Sequence, residues 1–302
     1  MPAEQIKSQK KLFLARHYGF CNGVKRAIDT VNAVLQSVPE NETIYIYNEI
    51  VHNSFVVNNL KSRGVKFVHS LDAVPPGSMI IWSAHGVPPE LEDEARQRRL
   101  TIKDATCPLV KRLHDLASKY SQDGDAVIFI GHANHPESIG VLGCGNIRCV
   151  SNADDCYALP DFSPDQKIYV LTQTTWCSNE TDVLLEVLKK RYPNLELVSG
   201  SCYATTERQQ SVRDLIQQQH IEQLLVIGSP KSSNSNRLCE VAMQYNVPAQ
   251  LVDDPEQIEF MEFNTVSTLG ITAGASAPDI LLQRSLEILQ KKHNFNLEEG
   301  TR

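Results

Sequence analysis

Cys21-Asn22-Gly23-Val24-Lys25-Arg26-Ala27-Ile28-Asp29 is the stretch that decides how this chain is organised, because it recurs twice. It returns as Cys107-Pro108-Leu109-Val110-Lys111-Arg112-Leu113-His114-Asp115 and, more freely, as Cys202-Tyr203-Ala204-Thr205-Thr206-Glu207-Arg208-Gln209-Gln210. In the first two copies Val24, Ile28, Val31 and Leu35, then Leu109, Leu113, Leu116 and Tyr120, recur at i, i+4, i+7 and i+11, the spacing of one apolar helix stripe. Each cysteine therefore opens a helix. Pro108 suits the first helical position, where a missing N–H costs nothing. The third helix is less regular, with Val212, Leu215 and Ile216 as its buried face. The free N–H groups and the dipole at a helix start favour a thiolate.

Two strand-loop-helix units follow each cysteine, and each loop carries a small polar cassette. The strand at 43–47 leads to Glu49-Ile50-Val51-His52-Asn53-Ser54, that at 126–130 to Gly131-His132-Ala133-Asn134-His135-Pro136-Glu137, and that at 224–227 to a loop containing Ser232-Ser233-Asn234. His52, His135 and Asn234 lie 31, 28 and 32 residues after their cysteines. The second cassettes are Ser83-Ala84-His85-Gly86-Val87, Thr172-Gln173-Thr174-Thr175 and Thr272-Ala273-Gly274-Ala275-Ser276, with His85, Thr174 and Ser276 at offsets of 64, 67 and 74. Open α/β units bind ligands at the carboxyl ends of their strands, so six such loops can face a common pocket.

The expected fold class is therefore α/β, with three similar α/β units in a pseudo-threefold arrangement around a central iron–sulfur cluster. The units are expected at 1–106, 107–201 and 202–302, the last ending in a helix from about Asp279 and a polar tail. A chain of 302 residues, 41% hydrophobic, can bury a substantial core. An excess of 36 acidic over 29 basic residues gives no electrostatic support for a nucleic-acid partner. Met1 to Lys11 reads as a polar leader, and no apolar run approaches membrane-spanning length, so a cytoplasmic location and no membrane contact are expected.

In such a setting the eight cysteines read as ligands, catalysts or buried apolar residues rather than disulfides. Only Cys21, Cys107 and Cys202 share the helix-opening position. Cys144, Cys149 and Cys156 form a rival set that loosely matches ferredoxin spacing, but it lacks the tight final pair and crosses a strand. Cys239 lies inside a helix, and Cys177, after Trp176, approaches the expected pocket without a repeat partner. Three thiolates on a cubane leave one iron open to substrate oxygen.

His17, His69, His114, His220 and His293 fall outside the cassettes and read as ordinary residues. His52, His85 and His135 occupy equivalent loop positions, which Ser232, Ser233, Asn234 and Ser276 take in the third unit. These residue types also cap helices, and capping is compatible with binding a phosphate or diphosphate. Glu137 is the one carboxylate among the neutral or cationic residues around His135, placed to deliver a proton, and Thr174 is placed to hold it. No dinucleotide or P-loop motif is present, so electrons are expected from another protein. Two other readings compete: a zinc hydrolase, which lacks the close ligand pairs zinc favours, and a redox sensor, which needs no diphosphate pocket.

The same segments identify a resemblance. Gly19-Phe20-Cys21-Asn22-Gly23-Val24, Glu49-Ile50-Val51-His52-Asn53, Ala84-His85-Gly86-Val87, Asp104-Ala105-Thr106-Cys107-Pro108, His135-Pro136-Glu137, Thr172-Gln173-Thr174-Thr175, Cys202-Tyr203-Ala204-Thr205, Ser232-Ser233-Asn234-Ser235-Asn236-Arg237-Leu238 and Thr272-Ala273-Gly274-Ala275-Ser276-Ala277-Pro278 resemble the LytB/IspH family of 4-hydroxy-3-methylbut-2-enyl diphosphate reductases, from about residue 19 to 280. The resemblance implies a [4Fe-4S] cluster on Cys21, Cys107 and Cys202, whose fourth iron meets the hydroxymethyl oxygen of an allylic diphosphate. It implies that His52, His85, His135, Thr174, Ser232, Ser233, Asn234 and Ser276 contact the substrate and that Glu137, beside Thr174, supplies the proton. Two electrons from a ferredoxin or flavodoxin would then give isopentenyl and dimethylallyl diphosphate, the last step of the methylerythritol phosphate route. Pro88-Pro89, Trp176-Cys177 and Pro230-Lys231 depart from the family's loops without replacing an expected ligand.

Overall fold

The computed structural model describes residues 10–39, 42–163, 165–176, 178–198 and 202–298. Cys177 lies outside the described residues, as do the first nine residues of the expected leader. Strands and helices alternate from the start: β1 (Lys10–Leu14), α1 (Asn22–Ser37), β2 (Ile44–Tyr47), α2 (Ser54–Ser62), β3 (Lys66–Val68), β4 (Met79–Trp82), α3 (Pro89–Gln97) and β5 (Thr101–Asp104). Then come α4 (Pro108–Gln122), β6 (Ala126–Ile130), α5 (Pro136–Leu142), β7 (Ile147–Val150), α6 (Ala153–Ala158), β8 (Ile168–Thr172), α7 (Ser178–Arg191) and β9 (Glu196–Leu197). The last set is α8 (Tyr203–Gln219), β10 (Gln223–Ile227), α9 (Ser233–Gln244), β11 (Ala249–Val252), β12 (Thr268–Ala273), α10 (Asp279–His293) and β13 (Phe295–Leu297). No helix among the described residues is long and apolar enough to cross a membrane.

These elements form three sheets, ordered β3-β2-β4-β5, β7-β6-β8-β9 and β11-β10-β12-β1-β13. Neighbours pair in parallel throughout, as helical crossovers between successive strands require. Because helices cover parallel sheets, the central strands read as continuous apolar runs: every residue of β6 is buried.

Chain order and sheet membership part company at β1. Counted in the 1–106 stretch, it pairs instead between β12 and β13, with Leu12 opposite Leu269 and Leu297. The pattern of the other sheets explains this. β5 and β9 hold the fourth place of their sheets and lead to Cys107 and Cys202; β1 holds the same place and leads to Cys21. β1 thus takes in the third sheet the place that β5 and β9 take in theirs. Two smaller differences follow. Lys10 and Lys11 belong to β1 rather than to a leader, and the tail after α10 adds the edge strand β13.

The chain divides into two compact units. One comprises Met1–Cys21, His52–Ser54 and Tyr203–Arg302; the other comprises Asn22–Val51 and Phe55–Cys202. The first is built on the β1-containing sheet. Leu12, Leu225, Ile271 and Phe295 pack with α10 on one face of it, while Phe13, Val226, Val212 and Leu238 pack with α8 and α9 on the other. The second carries the two four-stranded sheets, cored by Tyr45, Ile80 and Trp82 in one, and by Ile128, Val170 and Leu188 with Phe129, Leu171 and Leu113 in the other.

The helix stripes are turned slightly from the expected ones. α1 buries Val24, Ala27, Val31 and Val34, and α4 buries Val110, Leu113 and Ala117. Short side chains line the closest approach while Ile28, Leu35, Leu109 and Leu116 flank it, half-buried, because a close-packed interior leaves little depth along the contact line.

Candidate active site

In the second sheet, β6 ends in the loop that carries His135. His135 caps α5: its Nδ1 accepts the Glu137 N–H at 3.2 Å, and Pro136 takes the first helical position. Acceptance at Nδ1 places the proton of the neutral ring on Nε2. Glu137 follows in the first turn with 2% of its surface exposed. Both of its oxygens are taken by one residue: the Thr174 N–H donates to Oε1 at 2.6 Å and the Thr174 hydroxyl to Oε2 at 2.7 Å. Burial pushes the carboxyl up from 4.5 to about 7, outweighing the two Thr174 bonds that pull the other way. Gln173 secures this loop, its N–H on Ile130 O at 2.8 Å and its Oε1 accepting the His132 N–H at 3.1 Å.

In the first sheet, the loop after β4 carries His85, whose Nδ1 lies 3.3 Å from Ser83 Oγ. The His85 and His135 rings meet edge to face, 5.6 Å apart. His114, on α4, packs behind both loops. A Cβ at Gly86, which sits at φ +73, or at Gly140 of α5, would come within 2.8 Å of its imidazole. Burial lowers the His114 pKa, so a neutral ring fills the space that these two glycines leave.

In the β1-containing sheet, Ser232 caps α9 by accepting the Ser235 N–H. Ser276 donates to the carbonyl of His52 at 2.9 Å and stands 3.4 Å from the Ser232 hydroxyl. His52, Ser232 and Ser276 thus gather at one end of the sheet. Asn234 is 3% exposed, and neither its Oδ1 nor its Nδ2 has a hydrogen-bond partner among the described residues. A buried amide with nothing to bond costs about 1–3 kcal/mol per unsatisfied group, which makes this side chain a candidate ligand contact. Ser233 opens α9 beside it. The neighbouring loops are tight: a Cβ at Gly228 or Gly274 would collide with Ser235 Oγ.

The three helix-opening cysteines share one docking rule. The N–H of Cys21 donates to Ala275 O at 3.2 Å, that of Cys107 to Ala84 O at 3.0 Å and that of Cys202 to Thr174 O at 2.9 Å. Each cysteine is thereby seated on the loop that carries Ser276, His85 or Thr174. All three are partly exposed. The remaining described cysteines are poor thiolates: burial pushes Cys149 and Cys156 up to about 11 and Cys239 to about 12, and raises Cys144 as well. Among the described residues no group of three or more His, Cys, Asp or Glu forms a ready metal-binding set. Cys21, Cys107 and Cys202, partly exposed at helix starts, are thus the candidate donors, while burial disfavours the thiolate at Cys144, Cys149 and Cys156.

Supports around the cysteines escaped the reading of the sequence. Before Cys107, Asp104 accepts from the Thr106 N–H and from Lys111 Nζ, each at 2.9 Å. Before Cys21, the buried Arg208 donates to the Gly19 carbonyl at 2.6 Å. Lys111 and Arg208 both stand within the repeated stretches, at positions where a solvent-facing helix residue is the default assumption.

A sequence model of the family described as LytB protein matches residues 12–290. The 4-hydroxy-3-methylbut-2-enyl diphosphate reductase of Actinobacillus pleuropneumoniae serotype 5b (strain L20) is 44% identical over 286 residues, covering 92% of this chain and 90% of that protein. The protein of the same name from Psychrobacter sp. (strain PRwf-1) is 44% identical over 289 residues, with 93% and 89% covered. Among solved structures, the E-1-hydroxy-2-methyl-but-2-enyl-4-diphosphate reductase of Plasmodium falciparum is similar with a TM-score of 0.91 and 32% identity, over 96% of this chain and 91% of that one. A second, described as (E)-4-hydroxy-3-methyl-but-2-enyl diphosphate reductase, the terminal enzyme of the non-mevalonate pathway, has a TM-score of 0.65 and 28% identity, over 93% and 99%.

Proposed function

This chain belongs to the LytB family, and we propose that it acts as a 4-hydroxy-3-methylbut-2-enyl diphosphate reductase. The reaction breaks the allylic C–O bond with two electrons and two protons, releasing water and giving isopentenyl or dimethylallyl diphosphate. The observation that carries this reading is the buried Glu137, raised to about 7 and gripped through both oxygens by Thr174. A carboxyl of that strength is substantially protonated near neutral pH and can give its proton to a departing hydroxyl. The Thr174 bonds stabilise the carboxylate left behind, so the proton is held without being locked in place.

His52, His85, His135, Ser232, Ser233, Asn234 and Ser276, with Thr174, are proposed to hold the substrate. The Nε2–H of His135 and the unpartnered amide of Asn234 suit an anion with many acceptor oxygens. Cys21, Cys107 and Cys202 are proposed to hold a [4Fe-4S] cluster, which when bound supplies single electrons and a Lewis-acidic iron. A protein of ferredoxin or flavodoxin type is the proposed electron donor, and the cytoplasm the proposed location.

The test is anaerobic purification with metal and sulfide analysis, followed by turnover of the allylic diphosphate with dithionite and a mediator. Iron with sulfide, and both isomeric products by mass spectrometry, are expected. Zinc in place of iron, or an untouched substrate under these conditions, would overturn the proposal.

A further inference from the structure

We propose that Arg208 is a positioning residue for Cys21, its guanidinium fixing the turn that presents this thiol. The inference rests on the reading of Cys21 as a cluster ligand. Arg208 lies on α8, and 6% of its surface is exposed. A guanidinium so buried must be hydrogen-bonded, and these bonds have a definite target. Nη2 donates to Gly19 O at 2.6 Å and reaches Tyr18 O at 3.4 Å, while Nη1 donates to Ala204 O at 2.7 Å in the first turn of α8. One planar fork thus joins the start of this helix to the peptide two residues before Cys21.

The turn it grips has little freedom to settle elsewhere. Gly19 sits at φ +66, and a Cβ there would come 2.9 Å from Asp279 Oδ1, so glycine is required. The N–H groups of Gly19 and Cys21 are fixed on Ala273 O and Ala275 O at 3.0 and 3.2 Å, and that of His17 on Ser211 Oγ of α8 at 3.2 Å. The end of β12 therefore holds the donors of the turn while Arg208 holds its carbonyls. Cys107 has a different support in Asp104 and Lys111. A lysine offers one compact charge instead of a fork and replaces only part of the grip.

Arg208→Met and Arg208→Lys should be compared with wild type as anaerobically purified full-length holoprotein. The readouts are amide hydrogen exchange, the midpoint potential and the rate of iron loss to a chelator. Losing one charge-assisted bond should speed exchange across residues 17–21 by about tenfold or more. In Arg208→Met the potential should shift and iron loss should accelerate, with Arg208→Lys in between and exchange in β6 and β8 unchanged. Unchanged exchange at 17–21 would overturn the inference, as would a rise spread evenly over α8, β10 and β12, the mark of a general stabiliser. Faster exchange with unaltered potential and iron loss would also defeat it while leaving the ligand reading intact. Cys21→Ser separates the two: a full cluster in that variant removes the ligand reading, and the role of Arg208 falls with it.

Discussion

The N–H of Cys202 donates to the carbonyl of Thr174 at 2.9 Å. Through its own N–H and hydroxyl the same Thr174 holds both oxygens of Glu137. One threonine therefore connects the proposed proton donor to the backbone of a proposed cluster ligand. Displacing it should disturb proton delivery before it disturbs the fold, because the carboxyl loses a donor while the strand ladder stays intact.

Glu137→Gln keeps the size and much of the hydrogen bonding of the side chain but removes the acid. Iron content and substrate affinity should stay near wild type, while turnover with a chemical reductant drops ~100 to 10,000-fold, the usual contribution of a general acid. Turnover within a few-fold of wild type would assign the proton to another group.

The pH profile should report the same carboxyl. Burial has raised its pKa from 4.5 to about 7, so the acid form dominates below that value and is lost above it. Turnover at fixed reducing potential should fall as pH rises through about 7. Thr174→Val deletes the hydroxyl bond that favours the carboxylate, so the falling limb should move to higher pH. A limb that stays in place, or moves down, would contradict the assignment.

Cys21→Ser, Cys107→Ser and Cys202→Ser should each sharply reduce iron and sulfide content. Cys144→Ser and Cys156→Ser should not, since burial keeps those thiols protonated. Anaerobic metal analysis of the five variants decides the ligand set.

Asn234 offers a test that separates binding from stability. Its buried amide lacks partners among the described residues, so Asn234→Leu should leave the thermal midpoint unchanged or raise it, by removing a desolvation cost of about 1–3 kcal/mol. The same variant should weaken substrate binding, seen as a higher KM and a higher dissociation constant. Marked destabilisation with unchanged affinity would show that Asn234 is a structural residue.

Much of the site's vocabulary was legible from spacing alone. A cysteine before an amphipathic helix, and a polar cassette after an apolar strand, are local patterns, and α1, α4, β6 and β10 follow them closely. The pairing of Glu137 with Thr174 was anticipated from the cassettes, but the near-complete burial that raises the carboxyl to about 7 was not legible, because it depends on everything packed around it. His114, read as an ordinary surface or core residue, is the packing ring behind Gly86 and Gly140, partners that its sequence neighbours do not name.

By itself, then, the sequence determined the α/β alternation, the three helix-opening cysteines and the identity of the loop residues, since these follow from periodicity and residue chemistry over short spans. The tertiary structure alone decided that β1 enters the last sheet between β12 and β13, that Arg208 grips the turn before Cys21, and that Asn234 is buried without a partner among the described residues. Each of those depends on pairing or desolvation between residues distant along the chain. A strand's place is set by the edge left open to it, and a side chain's electrostatics by what excludes water around it.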